Sequence, residues 1–289
     1  MEEPTCMACV SIRAGDLAKL PVHVYRQRRD GGRVIIKDHP LEKLLRKPNA
    51  WQTRLEFIEQ MQGALLLKGN AYAAIRRNGR GEAIELIPIQ PERVCLLESP
   101  DGELFYRVST GNMHEMAVLR GFSNPIPAAD MLHLRWFSFN SLLGLGRMAL
   151  GKDAIGLSLA LEDHSARLFA NGTRPGGTME TDKKLDADTI ARLKAQLADF
   201  QGSENSGKNL FLEQGLKWVR QTMTSVEAET ISARRLQIEQ IAMLFDVPMH
   251  RLGIMPEGGG DAILQSHQMY LNNTLSTDAE RWEAKLADM

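Results

Sequence analysis

The sequence predicts an α+β fold, and three observations carry that prediction. Between Val22 and Trp136, short runs of alternating apolar and polar residues are separated by turn pairs such as Asn78-Gly79, the pattern of half-buried hairpins. Two long runs, residues 147–171 and 224–246, show no such alternation and end at helix-stopping residues. Residues 172–223 between them carry strand and helix patterns of their own. Together these describe a hairpin-rich region, two long helices and a small α/β module inserted between the helices.

Taken in order, Ala8 to Leu20 reads as a helix closed by Pro21, and VHVYRQ from Val22 alternates like a strand. Asp30-Gly31-Gly32 turns that strand back into Val34-Ile35-Ile36, with Arg26, Arg28, Arg29 and Arg33 around the tip, for which a solvated hairpin end is a commoner explanation than a nucleic-acid patch. A short helix follows and ends at Pro48 and Asn49. Thr53 with Glu56 forms a capping box for a second helix, whose Leu55, Ile58, Met61, Leu65 and Leu66 should pack on the sheet. AYAAIRR turns at Asn78-Gly79 into AIELIPI, and VCLLE turns at Pro100-Asp101-Gly102 into LFYRV. MLHLRW, from Met131, closes this part as a strand in which His133 is expected to be a hydrogen-bonded structural residue.

From Leu145 the pattern becomes helical, and one helix of about six or seven turns is expected up to Asn171-Gly172. The inserted module reads as a strand at GGTMET, a helix over residues 186–200, a polar glycine-serine loop, and strands at Leu210-Phe211-Leu212 and Lys217-Trp218-Val219. Thr224 and Glu227 start the second long helix, with Ile231, Ile238, Ile241 and Phe245 on one face, and Pro248 stops it. Gly258, Gly259 and Gly260 should form a mobile loop. Ala262 to Met289 reads as helical throughout and reaches Met289 without a cap, as expected of a helix cut short or lying against a neighbour.

Composition excludes several classes of function. A net charge of −1, from 35 Lys and Arg against 36 Asp and Glu, leaves no global footprint for nucleic acid, so such contacts must be local. Three cysteines do not make a disulfide framework, and Cys6-x-x-Cys9 has no second pair to complete a zinc site; both fit as small residues of an amphipathic helix. The sequence has no apolar run of membrane-spanning length and no signal-peptide pattern, so a soluble, cytoplasmically made protein is expected.

Two glycine motifs invite a nucleotide reading. The loop from Gly202 to Asn209 approaches G-x-x-x-x-G-K-[ST], but it follows a helix and precedes a strand, and Asn209 replaces the magnesium-binding hydroxyl. Gly144-x-Gly146 precedes a helix, but Gly151 is misplaced for a dinucleotide fingerprint. The sequence shows no carboxylate pair, G-x-S-x-G or H-E-x-x-H at catalytic spacing, so catalytic residues, cofactors and metals are all read as none.

Four segments in order, HPLEKLLRKPN, LLLKGNAYAAIRRNGRGEAIELIPIQPERV, LFANGTRPGG and IEQIAMLFDVPMHRLGI, together resemble the portal proteins of tailed bacteriophages and prophages. The resemblance implies a ring, usually a dodecamer, at one capsid vertex, with double-stranded DNA entering and leaving through its channel. It makes residues 1–146 the wing, 147–171 the first stem helix, 172–223 the clip, 224–246 the second stem helix, and 247–289 a tunnel loop and helix of a truncated C-terminal wing part. Met255, Pro256, Glu257, Gly258, Gly259, Gly260 and Asp261 would then line the channel. The clip would dock the large terminase subunit and later the head–tail adaptors; Lys183, Lys184, Gly202, Ser203, Glu204, Asn205 and Lys208 are its candidate contacts by exposure. The major capsid protein is the further partner, the virion the final location and the host cytoplasm the site of assembly. ATP hydrolysis belongs to terminase in that family. The competing readings are an NTPase or nuclease working through the Gly202–Asn209 loop, and a monomeric adaptor that shares the fold.

Overall fold

The computed structural model describes residues 3–29, 31–36, 38–111, 113–170, 178–180, 186, 190, 217–219, 224–255 and 259–289. The chain divides into two units, Met1–Lys152 with Gln240–Met289, and Asp153–Glu239.

In the first unit, α1 (Pro4–Lys19) begins four residues before the expected Ala8, because Glu3 accepts a hydrogen bond from the Cys6 amide at 2.6 Å and proline occupies the first turn, where it needs no N–H partner. Strands β1 (Tyr25–Gln27) and β2 (Arg33–Ile35) form the expected hairpin, exposed along its whole length. α2 spans Pro40–Arg46, and α3 (Arg54–Lys68) carries the Thr53/Glu56 capping box. Ile58, Met61, Leu65 and Leu66 of α3 are buried as expected, whereas Leu55 is exposed.

Strands β3 (Asn70–Arg77) and β4 (Ala83–Ile89) pair antiparallel, but their connection is longer than the two-residue turn expected at Asn78-Gly79. Asn78 accepts hydrogen bonds from the amides of Arg80 and Glu82, and Gly81 rather than Gly79 adopts positive φ, so the asparagine side chain organises a five-residue loop beside a register shift at Arg76/Arg77. β5 (Val94–Glu98) and β6 (Leu104–Val108) form the third hairpin, with Gly102 at positive φ. After α4 (Met113–Val118), β7 (Ile126–Pro127) extends the β5-β6 sheet and β8 (Met131–Arg135) completes a sheet ordered β4-β3-β8.

The central strand β3 explains the core. Ala71, Ala73 and Ile75 face the helical layer of Phe57, Met61, Leu65, Trp282 and Leu286, while Tyr72 and Ala74 face Tyr106, Val108 and Ile126 of the second sheet. A strand covered on both sides reads as a continuous apolar run, here Ala71 to Ile75.

The single helix expected over residues 147–171 is interrupted. α5 (Arg147–Leu150) ends at Gly151, and α6 (Lys152–Ala170) begins after it. A Cβ at Gly151 would lie 2.1 Å from Leu244 Cδ2, so that point has room only for glycine as the side chain now sits. The chain returns on α7 (Thr224–Leu244), whose Ile241 is fully buried, as is Phe245 just beyond it. Ile238 is half-buried and Arg234 and Arg235 are exposed, in keeping with the predicted faces, while Leu236 and Met243 are apolar residues left exposed off the buried face. α8 (Gly259–Met269), a π-helical turn (Tyr270–Leu275) and α9 (Ser276–Ala287) bear out the continuous C-terminal helical reading, with one wider turn in the middle.

The second unit contains most of α6 and α7, together with β9 (Thr178–Glu180) paired antiparallel to β10 (Lys217–Val219). Both short strands coincide with predicted ones. The Ile190 amide donates to the Asp186 carbonyl at 3.1 Å, a helical hydrogen bond inside the helix expected over 186–200, the rest of which lies outside the described residues, as do Leu210–Leu212 and the Gly202–Asn209 loop.

Candidate functional site

Of the seven residues proposed for the channel segment, Met255 is 68% exposed, and Pro256, Glu257 and Gly258 lie outside the described residues. Gly259, Gly260 and Asp261 are not part of a loop: they form the first turn of α8. The Asp261 carboxylate near the positive end of the helix favours that start. The clip candidates Lys183, Lys184, Gly202, Ser203, Glu204, Asn205 and Lys208 all lie outside the described residues.

Both approaches to the segment are anchored. Before it, a tight turn at Met249–Leu252 closes with Gly253 at positive φ, and the Ile254 amide donates to the Met249 carbonyl at 3.1 Å. Arg251 forms an ion pair with Asp16 of α1, to which the Tyr270 hydroxyl also donates at 3.2 Å. Beyond it, His267 of α8 sets its ring edge-on to His250, with centroids 6.0 Å apart, and Ser266 hydrogen-bonds His250 Nδ1. Burial, His267 and Arg251 hold His250 below its ordinary pKa, which favours a neutral ring.

Sequence reading gave no sign of the charged cluster just upstream. Arg13 donates to both Asp278 oxygens at 2.6 and 3.0 Å, to the Phe245 carbonyl at 2.7 Å and to Asp246 at 3.1 Å. Arg147 donates to Asp246 at 2.8 Å and to the Leu244 carbonyl, and stacks 4.1 Å over Trp136. Two guanidiniums thus take up carbonyls that the end of α7 leaves without helical partners, where the helix dipole also favours positive charge. Asp246, at φ 51°, turns the chain out of the helix between them. Burial lowers the pKa of Arg13, but Asp278 and Asp246 outweigh it; for Arg147, burial and the nearby Arg13 prevail over Asp246. The cluster lies where α7 ends, ahead of the segment that leads to Met255.

His133 is structural, as its sequence context implied. Its Nε2–H donates to Asn70 Oδ1 at 3.0 Å, its Nδ1 accepts from the Tyr106 hydroxyl at 3.1 Å, and its ring stacks on Tyr72 at 4.3 Å. Burial, then the charges of Arg135 and Lys285, push its pKa down to about 3. Cys6 and Cys9 are buried in α1 with free thiols pushed up to about 12 by burial and by Glu3, so they are unreactive small residues of the core. The glycines of Gly144-x-Gly146 also have a packing role: a Cβ on Gly144 would lie 2.0 Å from the Gly69 carbonyl oxygen. Among the described residues, no three His, Cys, Asp or Glu converge as metal ligands, and no helix is long and apolar enough to cross a membrane.

A family model described as phage portal protein matches residues 4–289. The chain belongs to the phage portal protein family. This is a family of structural particle components rather than enzymes. The portal protein of Enterobacteria phage HK97 is 28% identical over 284 residues, covering 96% of this chain and 65% of that protein. The probable portal protein of Streptomyces phage phiC31 is 27% identical over 252 residues, covering 84% of this chain and 53% of the relative. The chain therefore spans between about half and two thirds of these portal proteins. Among solved structures, the neck of an empty gene transfer agent particle computed with C6 symmetry superposes with TM-score 0.68 at 25% identity, covering 98% of this chain and 76% of that one. An HK97-family phage portal protein from Corynebacterium diphtheriae shares the fold, with TM-score 0.59 at 16% identity over 93% of this chain and 81% of its own.

Proposed function

We propose that this chain is the subunit of a portal ring, a homo-oligomer of twelve copies at one vertex of the capsid through which double-stranded DNA is packaged and ejected. The observation that carries this reading is the family match over residues 4–289, supported by a likeness to neck structures computed with C6 and C12 symmetry. In it, residues 1–146 are wing, 147–171 and 224–246 the stem, 172–223 the clip that docks terminase and then the head–tail adaptors, and 247–289 the channel segment with its supporting helices. The capsid protein surrounds the ring in the virion, and assembly takes place in the host cytoplasm.

The net charge of −1 suits such a conduit. Each phosphate neutralised by a lysine or arginine adds salt-dependent affinity, so a basic channel would hold the duplex instead of letting it slide. Met255 to Asp261 is the candidate lining, and the cluster around Arg13 and the Arg251–Asp16 pair give it firm roots.

Electron microscopy of the purified protein tests the reading. Rings with a central opening are expected, and their absence at high protein concentration would overturn it. Deleting Gly258 to Gly260 should leave rings intact while impairing packaging or DNA retention; unchanged packaging would reduce that segment to a linker.

A further inference from the structure

We propose that the free edge of β8 takes an acidic, extended peptide of a separate polypeptide, which joins the sheet as a fourth strand inside a cavity bounded by the end of α9. The proposal does not depend on the ring reading. In the sheet ordered β4-β3-β8, both outer strands carry main-chain groups that β3 cannot use. The register says which groups these are. The Trp136 amide donates at 2.8 Å to the carbonyl of Gly69, the residue directly opposite, so the bonded pairs of this antiparallel ladder are Leu134 with Ala71 and Leu132 with Ala73. The N–H and C=O groups of Met131, His133 and Arg135 therefore point away from β3.

The two edges of the sheet are finished differently. The outward residues of β4 include Leu86 and Pro88. The Leu86 amide donates to the Pro48 carbonyl at 2.8 Å, the Leu86 carbonyl accepts from the Asn49 side-chain amide at 3.0 Å, and Pro88 has no N–H to satisfy. On β8 the Met131 amide is taken by the Ala128 carbonyl, but the main chains of His133 and Arg135 have no hydrogen-bond partner among the described residues. His133 as a whole is only 5% exposed, and buried main-chain groups are almost always paired. This stretch of edge calls for a partner that both donates and accepts at strand spacing.

Room and charge narrow the choice of partner. A cavity of about 330 Å³ lies against the edge, walled by Met131, His133 and Arg135 of β8, Tyr106 of β6, and Lys285 and Met289 at the end of α9. Lys285 pairs with the mostly exposed Asp288 at 3.1 Å, and Arg77, also on the wall, is occupied by Asp130 at 3.1 Å and by the carbonyls of Gly81 and Ala129 at 3.0 and 2.9 Å. Arg135 donates to the Ser141 carbonyl and meets no carboxylate among the described residues, so the wall keeps an excess of positive charge. The depression of the His133 pKa reflects the same field, since Arg135 and Lys285 both add to it. A small inorganic anion would answer the charge and accept from the two amides, but it offers nothing to the two carbonyls. An extended peptide with a carboxylate side chain answers both: the ladder bonds supply affinity and the side chain selects for acid.

Two measurements on the full chain test this. In hydrogen exchange read residue by residue, the His133 and Arg135 amides should exchange roughly tenfold or more faster than those of Leu132 and Leu134, and a fluorescein-labelled peptide of alternating valine and glutamate should slow those two selectively. Fluorescence anisotropy should show saturable binding of that peptide, weakened roughly tenfold or more by N-methylation of all its amides, by lysine in place of glutamate, and by Lys285→Glu, a change in the last turn of α9 that leaves the sheet untouched. Binding that is indifferent to N-methylation, or that free glutarate displaces equally well, would overturn strand addition in favour of a simple anion site. Absence of saturable binding would overturn the proposal outright, and slow exchange of both amides in the free protein would show an edge already closed.

Discussion

Arg13, Arg147, Asp246 and Asp278 gather two cations and two anions under the end of α7, whereas Asn70, Tyr106 and His133 run a neutral chain of hydrogen bonds between the sheets. Both lie in the first unit and both satisfy buried polar atoms, but by different means. The charged cluster supports a helix end, where the free carbonyls and the helix dipole already call for cations. The neutral chain joins the two sheets, where burial and the positive charges of Arg135 and Lys285 disfavour a cation, and His133 stays unprotonated there. The charged solution is therefore the more vulnerable to loss of a single partner, and the neutral one to acid.

The largest effect should come from the charged side. Asp278→Ala leaves Arg13 buried beside only the half-exposed Asp246, and urea denaturation should show a loss of about 3–5 kcal/mol. A loss below ~1 kcal/mol would mean that water or a shifted carbonyl replaces the carboxylate. Gly144→Ala comes next. Its Cβ would collide with backbone rather than with a movable side chain, and overpacking of this kind costs ~1–3 kcal/mol, read as a lower urea midpoint at unchanged slope.

The neutral network has its own signature in pH. The pKa of His133 is depressed to about 3 in the folded state from the ordinary 6.5, so the unfolded chain binds a proton first as pH falls. Its stabilising contribution is complete above 6.5 and is lost progressively toward pH 3, with a limiting slope of ~1.4 kcal/mol per pH unit. His133→Gln should flatten the stability profile between pH 6 and 4, and identical slopes in the two proteins would rule out the buried neutral imidazole. The smallest effect is expected at Ile35, on the exposed β2: Ile35→Ser should change stability by no more than ~0.5 kcal/mol, and a larger loss would mean that the β1–β2 hairpin packs on something in solution.

Much of the local structure was legible. Thr53 and Glu56 cap α3 because hydroxyl and carboxylate sit three residues apart, a spacing that needs no tertiary information. The hairpins of β1–β2 and β5–β6 and the helical C-terminus follow from periodicity and turn residues in the same way. The Asn78 loop was misjudged because the asparagine side chain, not Gly79, organises it. The close approach of Leu244 to Gly151, which leaves room only for glycine there, could not be read because Leu244 is remote in sequence and is brought there only by folding. For the candidate site, the segment around Met255 was visible as glycine-rich chain after Pro248, but the helical start at Gly259 was not.

What the sequence determined by itself is the order of the elements, the caps and turns that bound them, and the family to which the chain belongs, because each depends on residues that are near neighbours or occur in fixed succession. Only the tertiary structure decided that Arg13 meets Phe245 and Asp278, 232 and 265 positions away, that β3 is covered on both faces, and that Phe137 and Phe139 remain in water on a loop held rigid by Asn70. Charges, aromatic rings and glycines have the same local pattern whether they are buried, paired or exposed, and only long-range packing selects among those fates.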